Sequence, residues 1–259
     1  MEKLGAVVLG ARPHRGCQLS VASFSKVISA MARPNARVVA AAGAVLLAVI
    51  AIESIRLGLG GLIVELAHSE SDRRIAPGRN APKAELDWLA GFYADSLAFH
   101  PGNPWALEGL GIADLARMRA TRSPREAQAL ARDAYKRFRE ALRQKPASPY
   151  LWSNLALAKL YLNELDDEFR AALRHADELG PWEPSTQEIV LFAGLAAWQS
   201  SDAAMRRSTT AVLERGASRN ALKLFEIVKR FGRLDLVCPL PGYHAIAARD
   251  CAAQPGAGR

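Results

Sequence analysis

Three proline-marked corners constrain this chain more than any other feature. The run Ala141-Leu142-Arg143-Gln144-Lys145-Pro146-Ala147-Ser148-Pro149-Tyr150-Leu151-Trp152 reads as the end of one helix, a turn and the start of the next. Pro146 lacks an N–H and its ring clashes with a preceding helical turn, so the first helix must stop there. Ser148 can cap the following helix, and Pro149 suits its first turn. The same grammar recurs at Phe99-His100-Pro101-Gly102-Asn103-Pro104-Trp105 and at Leu179-Gly180-Pro181-Trp182-Glu183-Pro184. A chain punctuated this way folds into successive antiparallel helices. Alanine, leucine and arginine dominate and alternating β-branched runs are scarce, so the fold class expected is all-α.

The second constraint is an uncharged stretch, Val38 to Ile52 (VVAAAGAVLLAVIAI), after which the chain stays largely apolar through Leu66. The clean core is shorter than the roughly 20 residues of a spanning helix. Arg37, Glu53 and Arg56 can reach toward headgroups, which makes 38–58 a transmembrane helix in this reading. A signal peptide cut after a small residue such as Ala51 is the alternative. Before the stretch lie Lys3, Arg12, Arg15, Lys26, Arg33 and Arg37 against the single acid Glu2, while beyond it Arg56 is balanced by Glu53 and Glu65. The positive-inside rule then places the N-terminus in the cytoplasm and the remainder outside, in the periplasm of a bacterium. The start is Met1 or Met31.

These signals divide the chain into five segments: 1–37, a poorly ordered cytoplasmic extension; 38–58, the membrane helix; 59–81, a linker; 82–232, a helical domain; and 233–259, an irregular tail. Within the domain, helices are expected after Pro82, from Pro104, from Pro124 to about Gln144, and over Pro149–Asn163, Asp166–Leu179, Ser185–Gln199, Asp202–Arg215 and Ser218–Phe231. Of the three cysteines, Cys17, Cys238 and Cys251, none forms a C-x-x-C pair, which excludes a zinc ribbon or thioredoxin-type motif. Cys238 and Cys251 either pair or stand as independent thiols.

The net charge is +8, and its most ordered expression is on the helix after Pro124. At about 100° per residue, Arg125, Arg132, Lys136, Arg139 and Arg143 fall within roughly 60° of one another. Ala127, Leu130, Ala131, Ala134, Phe138 and Ala141 lie opposite. This stripe is either a site for an acidic glycan, lipid headgroups or an acidic partner, or a solvated face eased by Glu126, Asp133 and Glu140. Nucleic acid is excluded as a partner by the inferred topology. Glu164, Asp166, Asp167 and Glu168 stand where a helix starts, which dipole and capping account for without a metal. His175 and Glu178 lack a second histidine, and neither His100 nor His244 sits with a partner for general-base chemistry. The reading is therefore non-enzymatic, with no cofactor and no metal. Trp105, Trp152, Trp182 and Trp198 are assigned to packing, with Trp182 the best placed of the four for stacking on a sugar.

The paired pattern resembles the tetratricopeptide repeat. Leu110-Gly111 match its Leu-Gly pair; Ala134, Phe138, Ala141 and Pro146 match its second half; Trp152, Leu155-Ala156, Ala176 and Pro181 form the next unit. Pro101, with Tyr93 and Leu97 before it, closes an earlier, degenerate one. Pro146 to Pro181 is close to the standard length of about 34, whereas Pro101 to Pro146 is longer, so the helix after Pro124 is extended. The resemblance implies an array of helical pairs and a groove lined by first helices, at Glu108, Ile112, Asn154 and Lys159. A second resemblance covers about residues 35–238. The membrane helix, Asp167-Glu168-Phe169, Glu178-Leu179-Gly180-Pro181-Trp182-Glu183-Pro184, Gly194-Leu195-Ala196-Ala197-Trp198 and Gly232-Arg233-Leu234-Asp235-Leu236-Val237-Cys238 look like the VpsP-like family of membrane-anchored proteins associated with bacterial exopolysaccharide biosynthesis. It implies a scaffold in the inner membrane whose partners are envelope proteins of a polysaccharide assembly system. A general periplasmic chaperone or translocon-associated repeat protein is the alternative.

Overall fold

The computed structural model describes residues 36–74 and 81–253, and they are helical throughout apart from turns. The expected cytoplasmic extension, with Cys17 and Met31, lies outside the described residues, as do 75–80 and 254–259. The helices are α1 (Ala36–Arg74), α2 (Lys83–Phe99), α3 (Pro104–Ala120), α4 (Pro124–Gln144), α5 (Pro149–Tyr161), α6 (Asp167–Leu179), α7 (Pro184–Ala196), α8 (Ala203–Gly216), α9 (Ala221–Arg230) and α10 (His244–Ala252). The chain divides into two units between Glu53 and Ser54.

In the first unit the described part is the beginning of α1, whose large apolar side chains, from Val38 to Ile52, are all more than half exposed. α1 is long and apolar enough to cross a membrane over Arg37–Ser71.

The second unit begins within α1. Residues 59–74, expected as part of a linker, are helical. The polar run after Ala67 suggested a break, but Gly60, Val64 and Ala67 are buried. Ala67 joins a core with Leu89, Ala90 and Tyr93 of α2 and Leu110 and Ala113 of α3. The Ser96 hydroxyl donates to the Gly60 carbonyl at 2.9 Å. Packing of one face carries the helix through a sequence that reads as loop, as tertiary context commonly overrides local signals.

Beyond α2 the helices pair as α3/α4, α5/α6 and α7/α8, and the first members α5, α7 and α9 also pack on one another in series. Capping follows the sequence signals. Asn103 Oδ1 accepts from the N–H groups of Trp105 and Ala106, Ser123 and Ser148 accept from Glu126 and Leu151, and Asp166 and Asp202 accept from Phe169 and Met205. Pro104, Pro124, Pro149 and Pro184 occupy first-turn positions where no N–H is needed. Asn163, with φ of 57°, turns the chain out of α5, a conformation asparagine tolerates. Close approach is purchased with glycine at Gly111, where a Cβ would lie 2.6 Å from the Phe138 ring. Phe138, Leu151, Leu155, Phe169, Leu191, Leu213 and Leu224 form the continuous core through the pairs.

The tail expected to be irregular over 233–259 is ordered through Ala253. Two short 3-10 turns, Leu234–Leu236 and Pro241–Tyr243, lead into α10. Cys238 and Cys251 are disulfide-bonded, with Cα atoms 5.7 Å apart, and the buried Tyr243 hydroxyl donates to the Leu213 carbonyl at 2.9 Å. Val237, Tyr243 and Ala247 cover core side chains that α8 and α9 would otherwise leave open, the role a terminal cap plays in a stacked array.

Candidate partner-binding surfaces

α5, α7 and α9 line an open cleft of about 470 Å³ with Leu157, Tyr161, Ile189, Phe192 and Ile227, and Arg119 of α3 joins them. Leu157 and Tyr161 are one turn apart on α5, and Ile189 and Phe192 are likewise adjacent on α7, so each helix gives one apolar ridge to the same floor. The rim is charged: Glu188, Lys223, Glu226 and Arg230. Lys223 pairs with Glu226 at 3.5 Å. Among the described residues Arg119 and Arg230 have no ion pair, so the rim carries surplus positive charge. Burial pushes the Glu188 carboxyl above its usual range, opposed by the Asn220 amide and by Lys223. The cleft can therefore hold an apolar segment and offers two guanidinium groups to an acidic neighbour.

None of the four residues expected on a partner groove lines this cleft. Lys159 and Asn154 are buried, Glu108 is buried on α3, and Ile112 is half-buried against the core. Lys159 lies about 160° around α5 from Leu157 and serves a different purpose. Its ammonium is 3.0 Å from Asp166, 3.0 Å from Glu168 and 3.5 Å from Glu164. Tyr135 of α4 donates its hydroxyl to Glu168 at 2.8 Å. Burial works against the charge on Lys159, but hydrogen bonds to Asp166 and Glu168 outweigh it and hold the pKa above the usual lysine range. Burial likewise opposes ionisation of Asp166 and Glu168. For Asp166 the Phe169 N–H and Lys159 win, and for Glu168 Lys159 and Tyr135 win, so both carboxyls sit below their ordinary range. The acidic run after α5 is thus a cap and an ion-pair set in one.

Glu108, on α3, faces Lys145 at the corner between α4 and α5. Its nearest cation is Lys145 at 3.9 Å, and its Oε2 is buried without a hydrogen-bond partner. Burial raises its pKa against the pull of Lys145. Lys145 itself lies 3.1 Å above the centre of the Trp105 ring. A second buried acid, Asp114, is held by Arg117 at 3.0 Å and by Arg137, and Arg117 also reaches Asp87 at 2.6 Å. That chain of charges ties α2, α3 and α4 together. Burial is the larger influence on the Asp114 carboxyl and pushes it up against both guanidinium groups.

The basic stripe of α4 is exposed, and its charges are largely matched by neighbouring acids. Arg132 meets Glu164 at 3.5 Å, Lys136 meets Asp133 at 3.3 Å, Arg139 meets Glu168 at 3.7 Å, and Arg143 pairs with Glu140. Arg125 alone of the five has no such partner among the described residues. Exposed pairs of this sort contribute about 0–1 kcal/mol each.

The tryptophans divide. Trp152 is half-buried, donates Nε1–H to the Pro146 carbonyl at 2.7 Å and lies 4.7 Å from the His175 ring, so it closes its own corner. Trp198 is half-buried with Arg233 4.3 Å from its ring. Trp105 and Trp182, assigned to packing from the sequence, are exposed instead. Trp105 opens α3 beneath Lys145, and Trp182 lies in the turn before α7. His175 and Glu178 are 3.7 Å apart on the surface of α6.

No protein-family model matches this chain, and neither do any curated protein or solved structure.

Proposed function

We propose that this protein is a non-enzymatic, membrane-anchored adaptor built on a tetratricopeptide-like array, and that its cleft between α5, α7 and α9 holds a segment of a partner protein. The observation that carries the reading is the cleft: three first helices present an apolar floor of buried Leu157 and half-buried Tyr161, Phe192 and Ile227, flanked by the guanidinium groups of Arg119 and Arg230. That combination suits a short apolar stretch with a neighbouring acidic residue. Anchoring is supported by the exposed apolar length of α1. An extracytoplasmic array is supported by the Cys238–Cys251 disulfide, since such bonds persist in oxidising compartments. A place in exopolysaccharide assembly rests on the resemblance carried by Glu178–Pro184 and the segments around it, and the partners are then envelope proteins of that system.

Complementation tests both parts. Deleting the gene in its native cell lowers surface polysaccharide, the wild-type chain restores it, and Arg119→Glu/Arg230→Glu at normal abundance does not. Unchanged polysaccharide on deletion contradicts the setting. Full restoration by the double variant contradicts the cleft.

A further inference from the structure

We infer that the edge of the array formed by its inter-pair corners rests on the lipid surface from which α1 emerges, with Trp105 and Trp182 seated among the headgroups. The inference rests on the anchoring reading above and adds a second, peripheral contact to it.

The corners form one contiguous edge. The Gly60 position of α1 adjoins Phe99 and His100 at the end of α2. Gly61 and His68 share a small cavity with Asn103 and Trp105 of the next corner. The Gln144 amide donates to the Gly102 carbonyl, and Lys145 covers Trp105, which joins that corner to the one between α4 and α5. Gly180 packs on Pro149, and the Tyr150 hydroxyl donates to Glu183, which adds the corner between α6 and α7. The Asn220 amide donates to the Pro184 carbonyl at 3.1 Å and brings in the corner before α9.

Exposed apolar side chains collect on this edge. Between residues 81 and 253 the large ones are Trp88, Trp105, Tyr150, Leu179, Trp182 and Leu222, and all but Trp88 stand at these corners. Single exposed apolar residues are ordinary when scattered, but alignment along one edge calls for an occupant. Lipid is favoured by continuity. In the same unit Ile55, Leu57 and Leu59 of α1 are exposed immediately before Gly60 meets the first corner. The α1 surface next to the edge is therefore already suited to acyl chains. The residues themselves match the boundary: an indole with its polar N–H, a phenol and a lysine ammonium lying on a ring are the amphipathic groups that settle at headgroup level. Near this edge Glu183 accepts from the Tyr150 hydroxyl and Glu178 pairs with Arg174, while Lys145, lying on Trp105, brings an ammonium to the same edge.

The test uses the full chain reconstituted into phosphatidylcholine–phosphatidylglycerol vesicles, with and without lipids brominated near the head of the acyl chain, read by tryptophan fluorescence. Trp105→Phe/Trp182→Phe keeps an aromatic ring at both positions, including the one beneath Lys145, and circular dichroism checks that the fold is kept. The quenched part of the emission is expected to fall about two-fold or more in the double variant, because the indoles at the boundary are removed and those of Trp88, away from the corners, and of Trp152 and Trp198 remain. Flotation with the vesicles and quenching unchanged by the substitutions, or no quenching at all, overturns the edge contact while leaving the anchor intact. Failure to float overturns both.

Discussion

At the scale of single residues, the polar side chains on otherwise apolar helix faces decide how the array is held, and Lys159 shows how. It is nearly inaccessible, yet charged, because three carboxylates from the α5–α6 turn and the start of α6 converge on it. Removing one member of a fully buried pair costs about 3–5 kcal/mol, but these carboxylates are partly solvated, so Lys159→Ala is expected to cost about 1–3 kcal/mol in urea unfolding. The carboxyls of Asp166 and Glu168 are held down, so their contribution is present near neutrality and disappears in acid, as the pH falls through their lowered folded values. The Lys159 contribution is present below its ordinary pKa and disappears only in strong alkali, as the pH rises through its raised folded value. Glu108 has the opposite sign among acids. Its pKa is raised by burial, so its ionised form weakens the fold at neutral pH and that penalty vanishes on acidification. Glu108→Gln should raise the melting temperature at pH 7 and leave it almost unchanged near pH 4; an equal effect at both values contradicts the assignment. The sequence placed Lys159 and Glu108 on a groove, with Lys159 a polar position in an otherwise apolar stretch. Their partners, Glu164 to Glu168 and Lys145, lie across turns, and one-dimensional patterning does not distinguish a polar residue facing solvent from one facing a buried counter-ion.

At the scale of elements, the corners were the most legible part of the chain, because proline and capping side chains act locally. The starts of α3, α4 and α5 follow directly from Pro104, Pro124 and Pro149 with their caps. The end of α1 and the whole of α10 were not legible. In α1 a polar run, Ser69 to Arg74, stays helical because the preceding turns are packed on α2, and α10 follows Pro239, Pro241 and Gly242, which read as breakers. What secures α10 is a distant covalent tie. Cys238→Ser/Cys251→Ser opens a bridge with a sequence separation of 13 and should cost about 2–3 kcal/mol by chain entropy. Amide exchange should show α10 released first, and protection there equal to wild type would contradict its role as a cap. Helix contact also depends on Gly111, whose position leaves no room for a methyl beside Phe138. Gly111→Ala is expected to lose about 1–3 kcal/mol in thermal or urea unfolding, as overpacking does.

At the scale of the whole molecule, an all-α chain with one long apolar helix was readable from composition, corners and hydropathy, whereas the cleft was not. Its lining comes from α3, α5, α7 and α9, tens of residues apart, and each contributes only a ridge whose direction is fixed by packing on its pair. Leu157 and Tyr161 sit in an ordinary helical stretch and nothing local separates them from core residues. The adaptor account requires that this concave surface, rather than the basic face of α4 or the outer face of α8, meets the partner. Site-specific photo-crosslinking in intact cells measures that directly, with the reactive group placed in the full chain at Tyr161 in the cleft, at Lys136 on α4, or at exposed Arg207 on α8. The account predicts one discrete envelope-protein adduct from Tyr161 that is lost in the Arg119→Glu/Arg230→Glu background and is absent from Lys136 and Arg207. The same adduct from all three positions, or an adduct from Tyr161 indifferent to the charge reversals, would contradict it.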